Sequence, residues 1–440
     1  MHFIKKNIQN DCLKSDKQIA ILLLFLTFFL HTIYAIYFYY FQSPPKTHLY
    51  YELAQEVIKQ GRFIYDTSDS YSNVVGPVII WINALTMLVF GKNYLGLYIV
   101  TSLGTALVTF FTYKTARLFL DKRTSLFAGV WSMMYLFYFY YTPDPGKDIW
   151  MAFFMIYLIY LLIKLFVKQI FTYRKFLLFI LMFVISLHLD ERYLIFSPFI
   201  VIFILFNNGP FFSLKNFKIT TSFVVLTILL MLPWAIRNYY KYDKIVILTT
   251  RTERFTDKLF GYEPNEYFSD DFTSIKGLYY IPNYQLDSVI TGLKTVTDAG
   301  YKIPIVQIEA MKNGQLPKPL TGVNAFASRI KTMFEPFQIK GNFEQTGYYY
   351  YKKSVKQNIA TFLYYGIIFL FSFPGFYFLY KKNKPVFFLF SSTIIIYALL
   401  HALTIPYTNW RYRLPLDAIF IITGCLGMSE IYKKLNNKFF

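Results

Sequence analysis

The sequence predicts an all-α protein that crosses a membrane about ten times. Three observations carry that prediction: an apolar composition, apolar runs of membrane-spanning length, and basic residues confined to the gaps between them. Of 440 residues, 55% are hydrophobic and 21% aromatic, and mean hydropathy is +0.36. A water-soluble core of this chain length has no room for so much apolar surface. Runs such as Ile19 to Phe41, Tyr94 to Leu120 and Ile359 to Tyr380 are long enough, at about 1.5 Å per residue, to cross roughly 30 Å of hydrocarbon. Their charges are Lys114 and Arg117, both near one end. The first run exceeds a signal-peptide core and no small-residue cleavage site follows it, so a retained span is expected.

A net charge of +20 would suit a nucleic-acid binder if it were gathered on one domain, but here it is dispersed. Lys5, Lys6, Lys14 and Lys17 precede the first run. Later clusters are Lys122 and Arg123; Lys168, Arg174 and Lys175; Lys215 and Lys218; Lys381, Lys382 and Lys384; and Lys433, Lys434 and Lys438. Read as topology signals, all face the cytoplasm. They place both termini inside a bacterial inner membrane, with spans near 19–41, 94–119, 124–142, 148–167, 176–189, 193–207, 219–236, 357–380, 385–405 and 414–432. The fifth and sixth are short, which suggests tilted or partly re-entrant segments. Membrane lipid is then a partner and nucleic acid is not. Cys12 and Cys425 fall toward the reducing side, so no disulfide is expected.

Three regions follow from this topology: a transmembrane module 1–236 with a first outer loop 42–93, an outer water-facing domain 237–356, and C-terminal transmembrane helices 357–440. In the first loop, Tyr50, Leu53, Ala54, Val57 and Ile58 recur at helical spacing, with Glu52, Gln55, Glu56 and Lys59 opposite. Such a helix either lies in the interface or packs on neighbouring spans, and Gly61 ends it. Val74 to Phe90 is apolar, yet if it crossed, the basic clusters after it would be displaced to the outside. It is therefore expected to lie along, or dip into, the outer interface. From about Arg237 to Lys356 hydropathy falls and no stretch could span; Tyr348 to Tyr351 fit an interfacial aromatic belt.

Some strings carry a family resemblance. Pro45 to Phe63 (PKTHLYYELAQEVIKQGRF) and Trp81 to Gly91 (WINALTMLVFG) are similar to the first outer loop of bacterial aminoarabinose transferases and protein O-mannosyltransferases, members of the GT-C class of membrane glycosyltransferases. Pro233 to Asn238 (PWAIRN) and Arg411 to Pro415 (RYRLP) resemble that group's junction motifs. The resemblance implies a GT-C-like fold with interfacial helices in the first outer loop and one larger outer domain. It also implies an inverting glycosyltransferase that moves a sugar from a polyprenyl-phosphate carrier to an extracytoplasmic glycan, lipid or protein acceptor.

That chemistry needs a carboxylate to deprotonate the acceptor hydroxyl and cations to neutralise the departing phosphate. Asp144 and Asp148, in TPDPGKDIW, stand on the second outer loop, and the resemblance places Asp148 on the family's second-loop aspartate. An aspartate there also serves simply as a helix cap. Arg192, Arg237, Arg411 and Arg413 sit at span ends on the same face, where guanidinium forks suit phosphate; snorkelling or pairing with nearby acids is the plainer role for any one of them. The family's first-loop acid falls on Lys46, which is not acidic, and the family's lysine before the interfacial segment falls near Val75. Asp66, Asp69 or Glu52 then takes the acid's role, and Lys46 either touches phosphate or is a solvated charge. Loss of that acid leaves two further readings: a non-catalytic relative that binds lipid-linked sugar or a membrane partner, and an envelope-glycan polymerase or flippase. A flippase predicts ionisable pairs in mid-membrane, and the spans are nearly charge-free there.

The histidines His2, His31, His48, His188 and His401 are scattered without ligand spacing, so no metal site is read, although a divalent ion is left open. Neither a GxxxxGK[ST] loop nor a GxGxxG turn is present, and no cofactor is expected.

Overall fold

A computed structural model describes residues 2–42, 48–60, 76–207, 213–242, 246–249, 274–275, 278–279, 322–335, 359–404 and 410–439. Every long apolar run is helical, because inside a bilayer the backbone N–H and C=O groups must be satisfied within the segment itself. The helices are α1 (His2–Phe41), α2 (Leu49–Gln60), α3 (Pro77–Phe90), α4 (Tyr94–Ala116), α5 (Lys122–Met133), α6 (Leu136–Tyr141), α7 (Asp148–Leu162), α8 (Tyr173–Leu189), α9 (Phe196–Asn207), α10 (Leu214–Tyr242), α11 (Gly322–Phe334), α12 (Ile367–Lys382), α13 (Lys384–Thr404) and α14 (Asp417–Phe439). Short π turns follow α7 and precede α12, and 3-10 turns precede α9 and α14.

By length and composition, seven of the helical stretches are able to cross a membrane: Ser15–Phe41, Tyr94–Ala116, Asp148–Val167, Leu214–Tyr240, Ile359–Lys382, Lys384–Ala402 and Arg411–Asn436. The other three expected spans are helical but shorter or broken. Residues 124–142 do not form one helix: Tyr135 takes an extended backbone (φ −70°, ψ 117°) and separates α5 from α6. The break opens the run Tyr135 to Tyr141, whose aromatic side chains lose rotamer freedom in a helix. The regions expected at 176–189 and 193–207 appear as α8, of 17 residues, and α9, of 12.

The chain divides into two compact units. The first comprises Met1–Pro264, Ile367–Ile394 and Leu414–Phe440; the second comprises Asn265–Gly366 and Ile395–Arg413. The expected boundary at 237 falls within α10, which stays helical to Tyr242.

In the first unit α7 is central, with 83% of its spanning window buried, whereas α1 and α10 bury 28% and turn Phe25, Phe29, Ile228 and Leu229 outward. Lipid is as apolar as leucine, so close packing and hydrogen bonds must hold such helices together. Both occur. A Cβ on Gly375 would lie 1.9 Å from the Thr423 carbonyl oxygen, and one on Gly427 would lie 2.0 Å from that of Phe371, so α12 and α14 meet backbone to backbone. Between α1, α4 and the α5–α6 stretch runs a polar seam: His31 Nδ1 is 2.8 Å from Thr142 Oγ1, and Thr109 Oγ1 is 3.2 Å from Ser132 Oγ.

Helix α3, 14 residues and about 21 Å long, falls short of a bilayer. Its first half is buried, while Leu85, Leu88, Val89 and Phe90 are exposed. Helix α2 packs on it, with Tyr50, Leu53, Ala54 and Val57 buried. The turn into α4 is built by Gly91, at φ +81°, and by Asn93, whose Oδ1 accepts the Gly96 N–H at 2.9 Å.

The second unit contains a two-residue antiparallel ladder, Ser274–Ile275 (β1) with Leu278–Tyr279 (β2), and the amphipathic helix α11.

Candidate functional site

The second-loop string TPDPGKDIW connects α6 to α7, and each of its polar groups is fixed by a different part of the first unit. Asn83 of α3 donates to the Pro145 carbonyl at 2.9 Å, and Thr101 of α4 donates to that of Asp144 at 3.3 Å. The Asp144 carboxylate accepts the Gly146 N–H at 2.7 Å and faces His48 Nε2, just before α2, at 3.2 Å. A Cβ at Gly146 would lie 2.8 Å from Asp144 Oδ1, so any larger residue there would displace that carboxylate. Asp148 is the first residue of α7 and is 6% exposed. Its carboxylate is well placed for the helix's positive end.

Lys147 turns inward. Its Nζ lies 2.5 Å from Asp190 Oδ2, and Arg192 grips the same carboxylate with two charge-assisted hydrogen bonds. Asp190 is fully buried. Burial works to raise its pKa, but Arg192 and Lys147 together override that and hold the carboxyl far below the usual carboxylate range. Tyr193 adds a hydrogen bond to the Met151 carbonyl at 2.6 Å, and Arg192 reaches Met151 Sδ at 3.3 Å. The start of α7 is thereby tied to the turn after α8.

The C-terminal end of α10 is anchored beside them. Trp234 packs edge-on to Trp81 of α3 and His188 of α8, and its Nε1 donates to the Leu248 carbonyl at 2.8 Å. Arg237 lies over the Trp234 ring, 5.1 Å from its centroid, and donates to Asn238 Oδ1 at 2.9 Å. Gly76 admits the end of α8 to this junction, since a Cβ there would lie 2.1 Å from the His188 carbonyl oxygen.

The expected site residues thus separate into groups. Asp144, Asp148, Arg192 and Arg237 all belong to this junction of α3, α4, α7, α8 and α10. Glu52 lies on the exposed face of α2. Arg411 and Arg413 belong to the second unit, where the buried Arg413 guanidinium stacks 3.3 Å from the Tyr365 ring centroid and donates to the Met333 carbonyl at 3.4 Å. Lys46, Asp66 and Asp69 lie outside the described residues, as does Val75. Lys147, Asp190, Asn83 and His48 were not singled out by sequence reasoning. The signal available for Lys147 and Asp190 was their charge at the ends of apolar runs. Among the described residues no group of three or more His, Cys, Asp and Glu side chains is placed to hold a metal ion.

An all-α polytopic bundle with a short helix pair in its first loop and a fixed acidic second loop defines the class: this is the GT-C-type membrane fold. Residues 74–236 match the family model of dolichyl-phosphate-mannose-protein mannosyltransferases. The archaeal oligosaccharyltransferase AglB of Archaeoglobus fulgidus, in complex with an inhibitory peptide and a dolichol-phosphate, is similar in structure, with a TM-score of 0.55 at 13% identity, over 96% of this chain and 51% of that one. The apo form of the Archaeoglobus fulgidus oligosaccharyltransferase gives 0.53 at 14% identity over 94% and 51%, and its complex with Zn and sulfate gives 0.52 at 14% over 95% and 49%. The chain spans about half the length of these solved structures. No curated protein sequence matches it.

Proposed function

We propose that the protein is a glycosyltransferase that moves a sugar from a polyprenyl-phosphate carrier to an acceptor outside the cytoplasm. The observation that carries this reading is the immobilised second loop, which gathers Asp144, Asp148, Lys147 and Arg192 at one end of a GT-C-type bundle. Groups held in fixed positions at a wet interface are what such a transfer needs, because a preorganised charge does not have to reorient as the reaction proceeds. Lys147, Asp190 and Arg192 together carry one net positive charge, which suits a departing phosphate.

In this reading Asp148 and Asp144 serve the acceptor side, with Asp66 and Asp69 as further acids of the first loop. Arg192, Arg237 and Lys46 serve the phosphate, and Glu52 serves the acceptor. The enzyme is inverting and sits in a bacterial inner membrane with both termini cytoplasmic, as the basic clusters indicate. AglB was solved in complex with an inhibitory peptide and a dolichol-phosphate; the related chemistry here is a lipid-phosphate sugar and a hydroxyl-bearing acceptor.

The test is the lipid-linked sugar content of membranes from a deletion strain carrying wild type or Asp148→Asn. Donor should accumulate in the deletion, and wild type should clear it at least about a hundredfold faster than Asp148→Asn, the low end for losing an acid–base group. If the deletion accumulates no donor, the transferase reading is wrong and a binding role replaces it.

A further inference from the structure

Building on that transferase reading, we propose that His48, oriented by Asp144, is the base that takes the proton from the acceptor hydroxyl. Three observations converge on this residue. His48 Nε2 lies 3.2 Å from Asp144 Oδ1, and that oxygen is pinned by the Gly146 N–H. The backbone around Asp144 is pinned as well, by Thr101 and Asn83. Finally, among the described residues His48 Nδ1 is buried with no hydrogen-bond partner, although the side chain as a whole keeps 15% exposure. A buried polar atom left unpaired carries a cost that a structural histidine would avoid. A substrate hydroxyl arriving at Nδ1 removes that cost.

The carboxylate at Nε2 selects the tautomer with its proton on Nε2 and its lone pair on Nδ1. This is the logic of an oriented base: one ring nitrogen is held by an acid and the other is presented to the reactant. The acceptor O–H proton passes to Nδ1 as the acceptor oxygen bonds to the anomeric carbon. The bond from that carbon to the phosphate oxygen breaks, its electron pair leaving on the polyprenyl phosphate, and the imidazolium returns its proton to solvent. His48 stands two residues beyond Lys46, where the resembling family has its acid, so an imidazole here supplies the function that Lys46 lacks.

Among the described residues the titratable neighbours of the ring are few. Tyr50 of α2 lies 5.4 Å away between ring centroids, and Asp144 touches Nε2. Tyr98 of α4 lies close enough to feel the Asp144 charge, and α3 carries no titratable side chain. Glu52 is on the exposed side of α2, and Lys147 and Asp148 share the Asp144 loop.

The experiment measures the clearance rate of accumulated lipid-linked sugar, extracted and weighed by mass spectrometry, in spheroplasts of the deletion strain over a range of donor levels. Wild type, His48→Gln, Asp144→Asn and Gly146→Ala are compared at equal folded protein. His48→Gln should clear at least about a hundredfold more slowly. Asp144→Asn should lower the maximal rate while the donor level giving half of it stays that of wild type, because the ring loses the contact that orients it and the donor loses none. Gly146→Ala, which displaces the carboxylate while keeping every titratable group, should act in the same direction.

Wild-type clearance by His48→Gln, or an unchanged maximal rate in Asp144→Asn, overturns the role of His48 and leaves the transferase reading standing. A deletion that accumulates no donor removes both. Should His48→Gln fail to fold, wild-type membranes treated with diethyl pyrocarbonate decide the matter. Loss of clearance in step with modification of His48 supports the assignment, and full clearance with His48 modified overturns it.

Discussion

The two ends of the first unit both use ion pairs, but in opposite settings. At the loop end, Asp190 is completely buried and Lys147 keeps 5% side-chain exposure. At the opposite end, Lys433 reaches Asp121 at 3.2 Å with side chains 52% and 49% exposed, and Lys382 meets Glu430 at 2.7 Å. Asp16 pairs with Arg117 at 2.6 Å in a half-buried setting. The exposed pairs gain little from attraction that water and salt screen. The buried cluster is different in kind: its charges have lost their hydration, so each is held in place by the others. The contrast teaches that the loop end is built for fixed geometry, whereas the pairs at the opposite end are left within reach of water.

Removing the hub of the buried cluster should produce the largest effect. Asp190→Ala leaves Lys147 and Arg192 without their shared carboxylate, and a loss of about 3–5 kcal/mol is expected for breaking a buried pair from one side. Thermal unfolding in detergent, followed by size-exclusion chromatography, reads it directly. If Asp190→Ala melts with wild type, the cluster is not the brace described here. A smaller loss, about 1–3 kcal/mol, is expected for Gly427→Ala, whose new Cβ would lie 2.0 Å from the Phe371 carbonyl oxygen. That change should separate α12 from α14 without disturbing the loop-end cluster, so Asp148-dependent clearance per folded molecule should be retained. Clearance lost while folding is preserved would show that the two regions are coupled.

Much of the fold was legible in the sequence because lipid imposes one rule on every residue it touches. Apolar runs gave α1, α3, α4, α7 to α10 and α12 to α14, and helical spacing gave α2, whereas nothing in the sequence reading marked α11. The aromatic run from Tyr135 hid a break, because hydropathy measures apolarity and is blind to backbone conformation. The candidate site was only partly legible. Asp144 and Asp148 were visible as acids between spans, but Lys147 was passed over beside them. Its partner Asp190 lies 43 positions later, and only the packing of α7 on α8 brings them together. His48 looked like a lone histidine because Asp144 is more remote still in sequence. Arg413 was expected at a phosphate and is buried against Tyr365, a contact no local pattern encodes.

The smallest effect is also the sharpest test of the contrast between the two ends. Burial tends to raise the Asp121 pKa, but hydrogen bonds from the Thr124 N–H and hydroxyl, together with Lys433, lower it to about 2. A carboxylate depressed in the folded state stabilises above its unfolded pKa, about 3.9, and loses that contribution as pH falls through the folded value. The contribution of Asp121 should therefore be complete above about pH 4 and gone by about pH 2. Asp190, held lower still, should keep its charge through that window. Asp121→Asn should thus cost less than about 1 kcal/mol at neutral pH, and the difference from wild type should close on acidification between those values. Asp190→Ala should stay destabilised relative to wild type across the same range. If instead the two variants converge on wild type together, the loop-end carboxylate is titrating like a surface group, and a brace made of buried charge is not what holds the second loop.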